Sequence, residues 1–329
     1  MRWSFCLAGV AAATLSLNAS SSLANDSVAA MGAGGLELIE SADIRMVSED
    51  LSISLKQVRV IYEFRNESAA AISTRVAFPL PKADLATLDD LSFGRLSENP
   101  ANPVDFHVKA GGKDVQTEIE RKATYKGENV TDFLTQQGVP IDYPDGTFRA
   151  KLLALPAAAK AALKARGLAD FSNDYASANW TVQHIFHWMQ VFPAGQILNV
   201  EHDYKPVVGY SLGMFSGDTK QLMGLVGRDD TFKQFCIDAR GAKGIARRAR
   251  ASENQSAGAA IVDYILTTGA GWKGTIGRFK LTVDKGQPGD LVSLCMGGMR
   301  KTGPTTFVTT RRNFEPKREL SLLFVSGRN

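Results

Sequence analysis

Four histidines are present in this 329-residue chain, and three of them, His184, His187 and His202, fall within one short stretch. His184-Ile185-Phe186-His187 has the separation of a helical metal pair. On a strand, however, residues three apart face opposite ways. Trp180, Val182, Phe186, Trp188 and Phe192 share the even phase, which argues for a strand. His184 and His202 are then the pair left on one face. Folding back at Pro193-Ala194-Gly195 would set Phe186 opposite His202 and His184 opposite Tyr204. The two imidazoles would lie on a diagonal, roughly 7–8 Å apart by Cα. A metal there would need a third donor, Asp203 or Glu201. The plainer expectation is a packed, hydrogen-bonded aromatic face with no metal and no cofactor. Trp180, Trp188, His202, Tyr204 and Trp272 would then offer a binding surface.

Other reactive patterns are weaker. Gly209-Tyr210-Ser211-Leu212-Gly213 matches the letters of a nucleophile elbow. An elbow needs a strand, a sharp turn and a helix in a parallel α/β sheet. Met214-Phe215-Ser216-Gly217 starts a helix poorly, and no histidine follows His202. Gly269-Ala270-Gly271-Trp272-Lys273-Gly274 lacks the ending of a phosphate loop and reads as a turn displaying Trp272. The carboxylates of Glu49-Asp50 and Asp89-Asp90 are adjacent in sequence, so on strands they point apart. No catalytic residue is assigned.

Met1–Ala24 reads as a signal peptide: Arg2 is basic, Phe5–Leu17 is apolar, and Ser22-Leu23-Ala24 is a cleavage site. The expected location is the periplasm, with no transmembrane segment after the leader. Beyond Cys6 only Cys236 and Cys295 remain, and an even count in an oxidising compartment favours a disulfide between them. The net charge of +4 does not call for nucleic acid as a partner. Arg247, Arg248 and Arg250 form one tight basic cluster, read as a solvated helix end.

The positioning elements are mostly strands. Leu51–Pro81 alternates apolar and polar residues, with a phase shift at Lys56–Gln57 that requires a bulge or a tight turn. Asn25–Gly35 is small and glycine-rich, hence flexible. Thr117–Ala176 loses the alternation. Its Pro156–Arg166 segment is a helix whose apolar face is mostly alanine, so it should dock loosely. Short strands return from Trp180 onward, with one helix near 229–245. The fold class expected is mainly β: antiparallel, sandwich-like sheets in two regions, 25–116 and 177–329, with a helical insertion over 117–176.

Several stretches resemble the bacterial family termed domain of unknown function 4424. They are Asn25-Asp26-Ser27, Ser48-Glu49-Asp50-Leu51, Val60-x-Tyr62-x-Phe64-x-Asn66 and Val76-Ala77-Phe78-Pro79-Leu80-Pro81. Further on come Trp188-x-Gln190-x-Phe192-Pro193-Ala194-Gly195, His202-x-Tyr204-x-Pro206-x-x-Gly209 and Phe235-Cys236-Ile237-Asp238. The last begins at Tyr264 and includes Trp272 and Ile276. The resemblance implies an exported bacterial protein and brings no activity, cofactor or catalytic residue with it. Leu51–Pro81 more loosely resembles the start of a VIT-type β-sandwich domain. The function expected is binding or interaction without catalysis, toward an envelope protein or a small ligand. A hydrolase or metal enzyme on the His184/His202 face and a structural accessory of the envelope are the alternatives.

Overall fold

The two-residue alternation of the sequence reappears as alternating burial, and it decides how three sheets stack. The computed structural model describes residues 26–32, 35–87, 92–93, 99, 101–141 and 147–326. The expected signal peptide and the Asp89-Asp90 pair lie outside the described residues.

Ser27–Gly32 (β1) and Gly35–Ile39 (β2) form a hairpin, followed by Ile44–Ile53 (β3), Val58–Asn66 (β4) and Ile72–Pro79 (β5). The phase shift at Lys56–Gln57 is the β3–β4 turn, in which Ser54 N–H donates to Gln57 O at 3.0 Å. In β4, Val58, Val60, Tyr62 and Phe64 are buried, while Arg59, Ile61 and Arg65 are exposed. The flexibility expected of Asn25–Gly35 is corrected over Ser27–Gly32: β1 pairs with both β2 and β5. Small residues allow close pairing as well as freedom, and here Asp26 anchors the strand.

His107–Ala110 (β6), Lys113–Val115 (β7) and Glu118–Tyr125 (β8) come next. β8 is a strand where the sequence suggested the start of a helical stretch. Its residues are half-buried on both faces, so the alternation is muted. Three short helices follow, Thr131–Gln136 (α1), Phe148–Leu153 (α2) and Ala157–Ala165 (α3). α3 begins after Pro156, whose fixed φ suits a helix start. It buries Ala159 and Leu163, and Leu163 joins the main core together with Leu152 and Leu168, so the segment is anchored by leucines on its flanks and in its middle.

The chain continues through Thr181–Phe192 (β9), Ile197–Tyr204 (β10) and Val208–Ser216 (β11). Thr219–Leu225 (α4) is a helix that the sequence did not suggest, and two helices, Asp230–Gln234 (α5) and Ala239–Arg250 (α6), stand where one was expected near 229–245. Asp218, Asp229 and Asp238 cap them with side-chain acceptors: the first starts a helix after β11, and the other two each restart one after a break. The last strands are Ser256–Tyr264 (β12), Ile276–Asp284 (β13), Leu291–Leu294 (β14), Arg300–Lys301 (β15), Thr306–Phe314 (β16) and Leu320–Ser326 (β17).

The first sheet runs Glu128–Asn129, β8, β9, β5, β1, β2, with Ala83–Asp84 also on β9. The second runs β15, β16, β13, β3, β4, β10, β6, β7, and the third β14, β17, β12, β11, Ser92–Phe93. The fold is mainly β and its pairings are antiparallel, save that β13 lies parallel to β3. At that seam a Cβ on Gly277 would stand 2.5 Å from Val47 O, so only glycine fits beside the bulge between Met46 and Ser48. A two-stranded ribbon, Ala169–Phe171 with Ala176–Ala178, makes a fourth, small sheet, and the main core contains inward residues of all four. On β12, Ala260, Val262 and Tyr264 face that core, whereas Ala257 and Ala259 face a second one under α4–α6.

Candidate functional site

β9 and β10 do not form the hairpin that the Pro193-Ala194-Gly195 turn suggested. β9 pairs with β5 and β8, β10 with β4 and β6, so the turn carries the chain from the first sheet to the second. Phe186 therefore lies opposite Phe78 and Ile119, not His202. The reason is that both strands bury their even residues, and two such faces bury more area across a sandwich than side by side.

His202 sits at the middle of the packing. Its ring centroid is 5.2 Å from Phe106, 5.3 Å from Phe78 and Trp188, and 5.5 Å from Tyr62. Its Nε2 lies 3.3 Å from Asp26 Oδ2, and both side chains are 0% exposed. The distance alone would suit an ion pair, but burial decides otherwise. It holds the His202 imidazole down to about 3, and it pushes the Asp26 carboxyl well above the usual range, with the Glu49 charge adding to the rise. Burial thus favours the neutral form of both partners over an ion pair.

Polar groups continue outward from this pair. Tyr62 and Tyr264 bring their hydroxyls to 3.2 Å, and Tyr264 OH donates to Glu49 Oε1 at 3.5 Å. Burial pushes both phenols up. Trp272 Nε1–H donates to the Asp26 carbonyl at 2.5 Å, so the turn expected to display Trp272 instead buries it. This centre clamps the start of β1 between the sheets by main chain and side chain together.

The proposed binding surface is thereby corrected. Trp180, Trp188, His202, Tyr204 and Trp272 are all buried. Alternation identified their common face but not what would cover it. His184 is buried too, in the first sheet, while His202 belongs to the second. Among the described residues, no three of His, Cys, Asp and Glu gather as a metal site. His187 faces the other side of β9, where Arg75 Nη1 approaches its Nδ1 at 2.9 Å. Burial first and then the Arg75 charge lower its basicity. Ser211 lies inside β11, paired with Ala259, with no sharp turn into a helix. Cys236 and Cys295 form a disulfide, Cα–Cα 5.1 Å, tying the end of α5 to the residue after β14.

Asp26 and Tyr264 were not singled out as chemistry-bearing by type or spacing, because Asp26 meets partners far along the chain. The one signal was indirect: Asp26, Glu49, Tyr62, Phe78, Trp188, His202, Tyr264 and Trp272 all occur in the stretches that carried the family resemblance. The model of the family described as Domain of unknown function (DUF4424) matches residues 24–323. The chain belongs to this family. In this DUF4424 protein those eight residues converge on the buried centre. A protein from Legionella pneumophila, whose crystal structure carries the provisional description of a nutrient binding protein, is similar at 18% identity with a TM-score of 0.45. The match covers 92% of this chain and 70% of that one. No curated protein matches the sequence. Among the described residues, no helix is long and apolar enough to cross a membrane.

Proposed function

We propose that this DUF4424 protein is an exported, non-catalytic binding or interaction protein of the periplasm. The observation that carries the reading is the burial of its acid and imidazole: Asp26 and His202 are both 0% exposed inside an aromatic cage. A general acid or base must come within hydrogen-bond reach of a substrate. A pair held in the core as a clamp on β1 serves architecture instead. Export is supported by the basic, apolar and small-residue order of Met1–Ala24 and by the Cys236–Cys295 bond, since such bonds persist in oxidising compartments.

The test combines location with chemistry. Fractionation and intact-mass measurement should find the protein in the periplasm, beginning at Asn25. Ester, amide and phosphate-ester substrates, with and without zinc, should give no turnover that His202→Gln removes. Turnover lost in a folded His202→Gln variant would overturn the non-catalytic reading, and a cytoplasmic, full-length product would overturn export.

A further inference from the structure

β16 is an edge strand over much of its length. On one side it pairs with β13 from Thr306 to Phe314, and on the other β15 covers only Phe307 and Val308. Two backbone bonds fix which way each residue turns its main chain. Lys285 N–H donates to Thr305 O at 3.0 Å on the β13 side, and Thr302 N–H donates to Thr306 O at 3.0 Å on the β15 side. Successive residues of an antiparallel ladder turn N–H and C=O alternately to the two neighbours. Odd-numbered residues of β16 therefore bond to β13, and even-numbered ones face β15. Past Val308 these are Thr310 and Arg312, where β15 has ended. The chain ahead of β15 lies against the face of Thr309 and Arg311, whose side chains donate to the Gly297 carbonyl at 3.3 and 2.6 Å. An open concavity of roughly 470 Å³ is left, and Val308, Thr309, Thr310 and Arg311 are part of its lining. Consecutive strand residues alternate between faces, so they line one hollow together only along the strand's edge.

The side chains along this edge are basic. Arg312 stands directly opposite Arg278 of β13, and both are exposed. Like charges so placed cost stability. Among the described residues, none of Arg278, Arg300, Arg311 and Arg312 pairs with a carboxylate. Nearby acids are engaged elsewhere: Asp50 with Lys280 at 2.9 Å, Glu315 with Lys317 at 3.4 Å, and Asp284 with the Gly286 N–H at 2.9 Å. From these observations we infer that the open edge of β16 takes an extended, acidic peptide segment of a partner protein as an added strand. The segment's main chain bonds Thr310 and Arg312, and its alternate side chains fall on the two faces. Acids on one face meet Arg312 and Arg278, and an acid on the other meets Arg311, so no single group has to be reached from both faces. A second copy of this chain fits poorly, because pairing β16 with itself would bring the same arginines together. A plainer role for the charges is to guard the edge. Basic side chains guard it against basic strands and against its own copies, while they favour an acidic one.

This edge site rests on the binding reading given above and names its partner class. The processed full-length protein is titrated, at constant ionic strength, with a short peptide alternating glutamate and threonine and with its glutamine counterpart. The glutamate peptide should bind saturably and slow amide exchange at Thr310 and Arg312, which exchange quickly in the free protein. The glutamine peptide should bind about tenfold or more weakly, the loss expected when charge-assisted bonds are removed. Thr310→Pro deletes the N–H aimed at the open edge and spares the pairing with β13, a place where proline is tolerated. It should weaken the glutamate peptide about tenfold, by the loss of a main-chain bond and the bulk of the ring, with an unchanged melting temperature. Arg312→Gln should weaken it similarly without lowering stability, since the contact with Arg278 is relieved. Equal affinity for the two peptides would overturn the acidic partner. Full affinity in a folded Thr310→Pro variant, or unprotected Thr310 and Arg312 amides at saturation, would overturn strand addition. A dimer that Thr310→Pro abolishes would overturn the proposal in favour of a second copy. Each of these failures leaves the non-catalytic reading standing, because that reading turns on location and turnover.

Discussion

The centre around His202 and the lobe of α4–α6 are held together by different means. The centre is built from large rings: Phe78, Phe106, Trp188, Tyr62 and Trp272 close over buried polar groups. The lobe's core sets Ala242, Ala246, Ala249, Ala257 and Ala259 beside Phe215, Phe232 and Phe235 and the aliphatic Leu222, Ile237, Ile245, Leu323 and Val325. Each alanine buries much less apolar area than a ring, so burial stabilises the lobe less per residue. Three aspartate caps and the Cys236–Cys295 bond supply what packing does not. Where side chains are large, burial can tolerate polar groups in the middle; where they are small, covalent and capping restraints take over.

The sharpest way to break this contrast is to remove a ring from the centre. Phe78→Ala should lower unfolding free energy by about 3–5 kcal/mol in urea denaturation, with one cooperative transition. A loss below about 1 kcal/mol would mean that the rings do not act as one packed unit. Opening the disulfide with Cys236→Ala and Cys295→Ala tests the lobe. The bond closes a 59-residue separation, for which the chain-entropy account gives up to about 4 kcal/mol. The realised loss should be smaller than that ceiling, and amide exchange should quicken in α5 and α6 before it does in β4 or β10. Uniform quickening would remove the distinction between the two regions.

The subtlest test is pH. Folded His202 binds its proton only below about 3, against 6.5 unperturbed, so the unfolded chain holds more protons between those values and stability rises with pH there. Asp26 acts in the opposite sense. Its raised folded value keeps a proton that the unfolded chain releases near the ordinary carboxyl range, so stability falls as pH rises above roughly 4. The two slopes oppose each other above about pH 4, over the range in which folded Asp26 keeps its proton, and partly cancel in the parent. Asp26→Asn should leave a rising slope in that window and His202→Gln a falling one, measured by urea titrations across the range. Slopes of the same sign in both variants would contradict the neutral-pair assignment.

Much of this molecule was legible in its residues. Alternation located β4, β9, β10 and most of the C-terminal strands, and the even phase put Trp188, His202 and Tyr204 on one face of their strands without showing that this face is covered. β8 shows no clean period because its residues are mostly half-buried, and α5 and α6 read as one helix because the break between them is short and capped, while the seven-residue α4 leaves too weak a helical signal to find.

What the sequence determined by itself was the face that each strand buries, because a period of two is a local property of the chain. The family, too, was readable in short stretches. Which faces meet was decided only by the tertiary structure. Nothing local distinguishes a hairpin between β9 and β10 from a crossing between sheets, since both satisfy the same alternation and the same turn. The choice depends on the total area that three sheets can bury at once. That choice turned an aromatic stripe expected at the surface into a sealed centre, and brought Asp26 to His202 and Trp272 from the far ends of the chain.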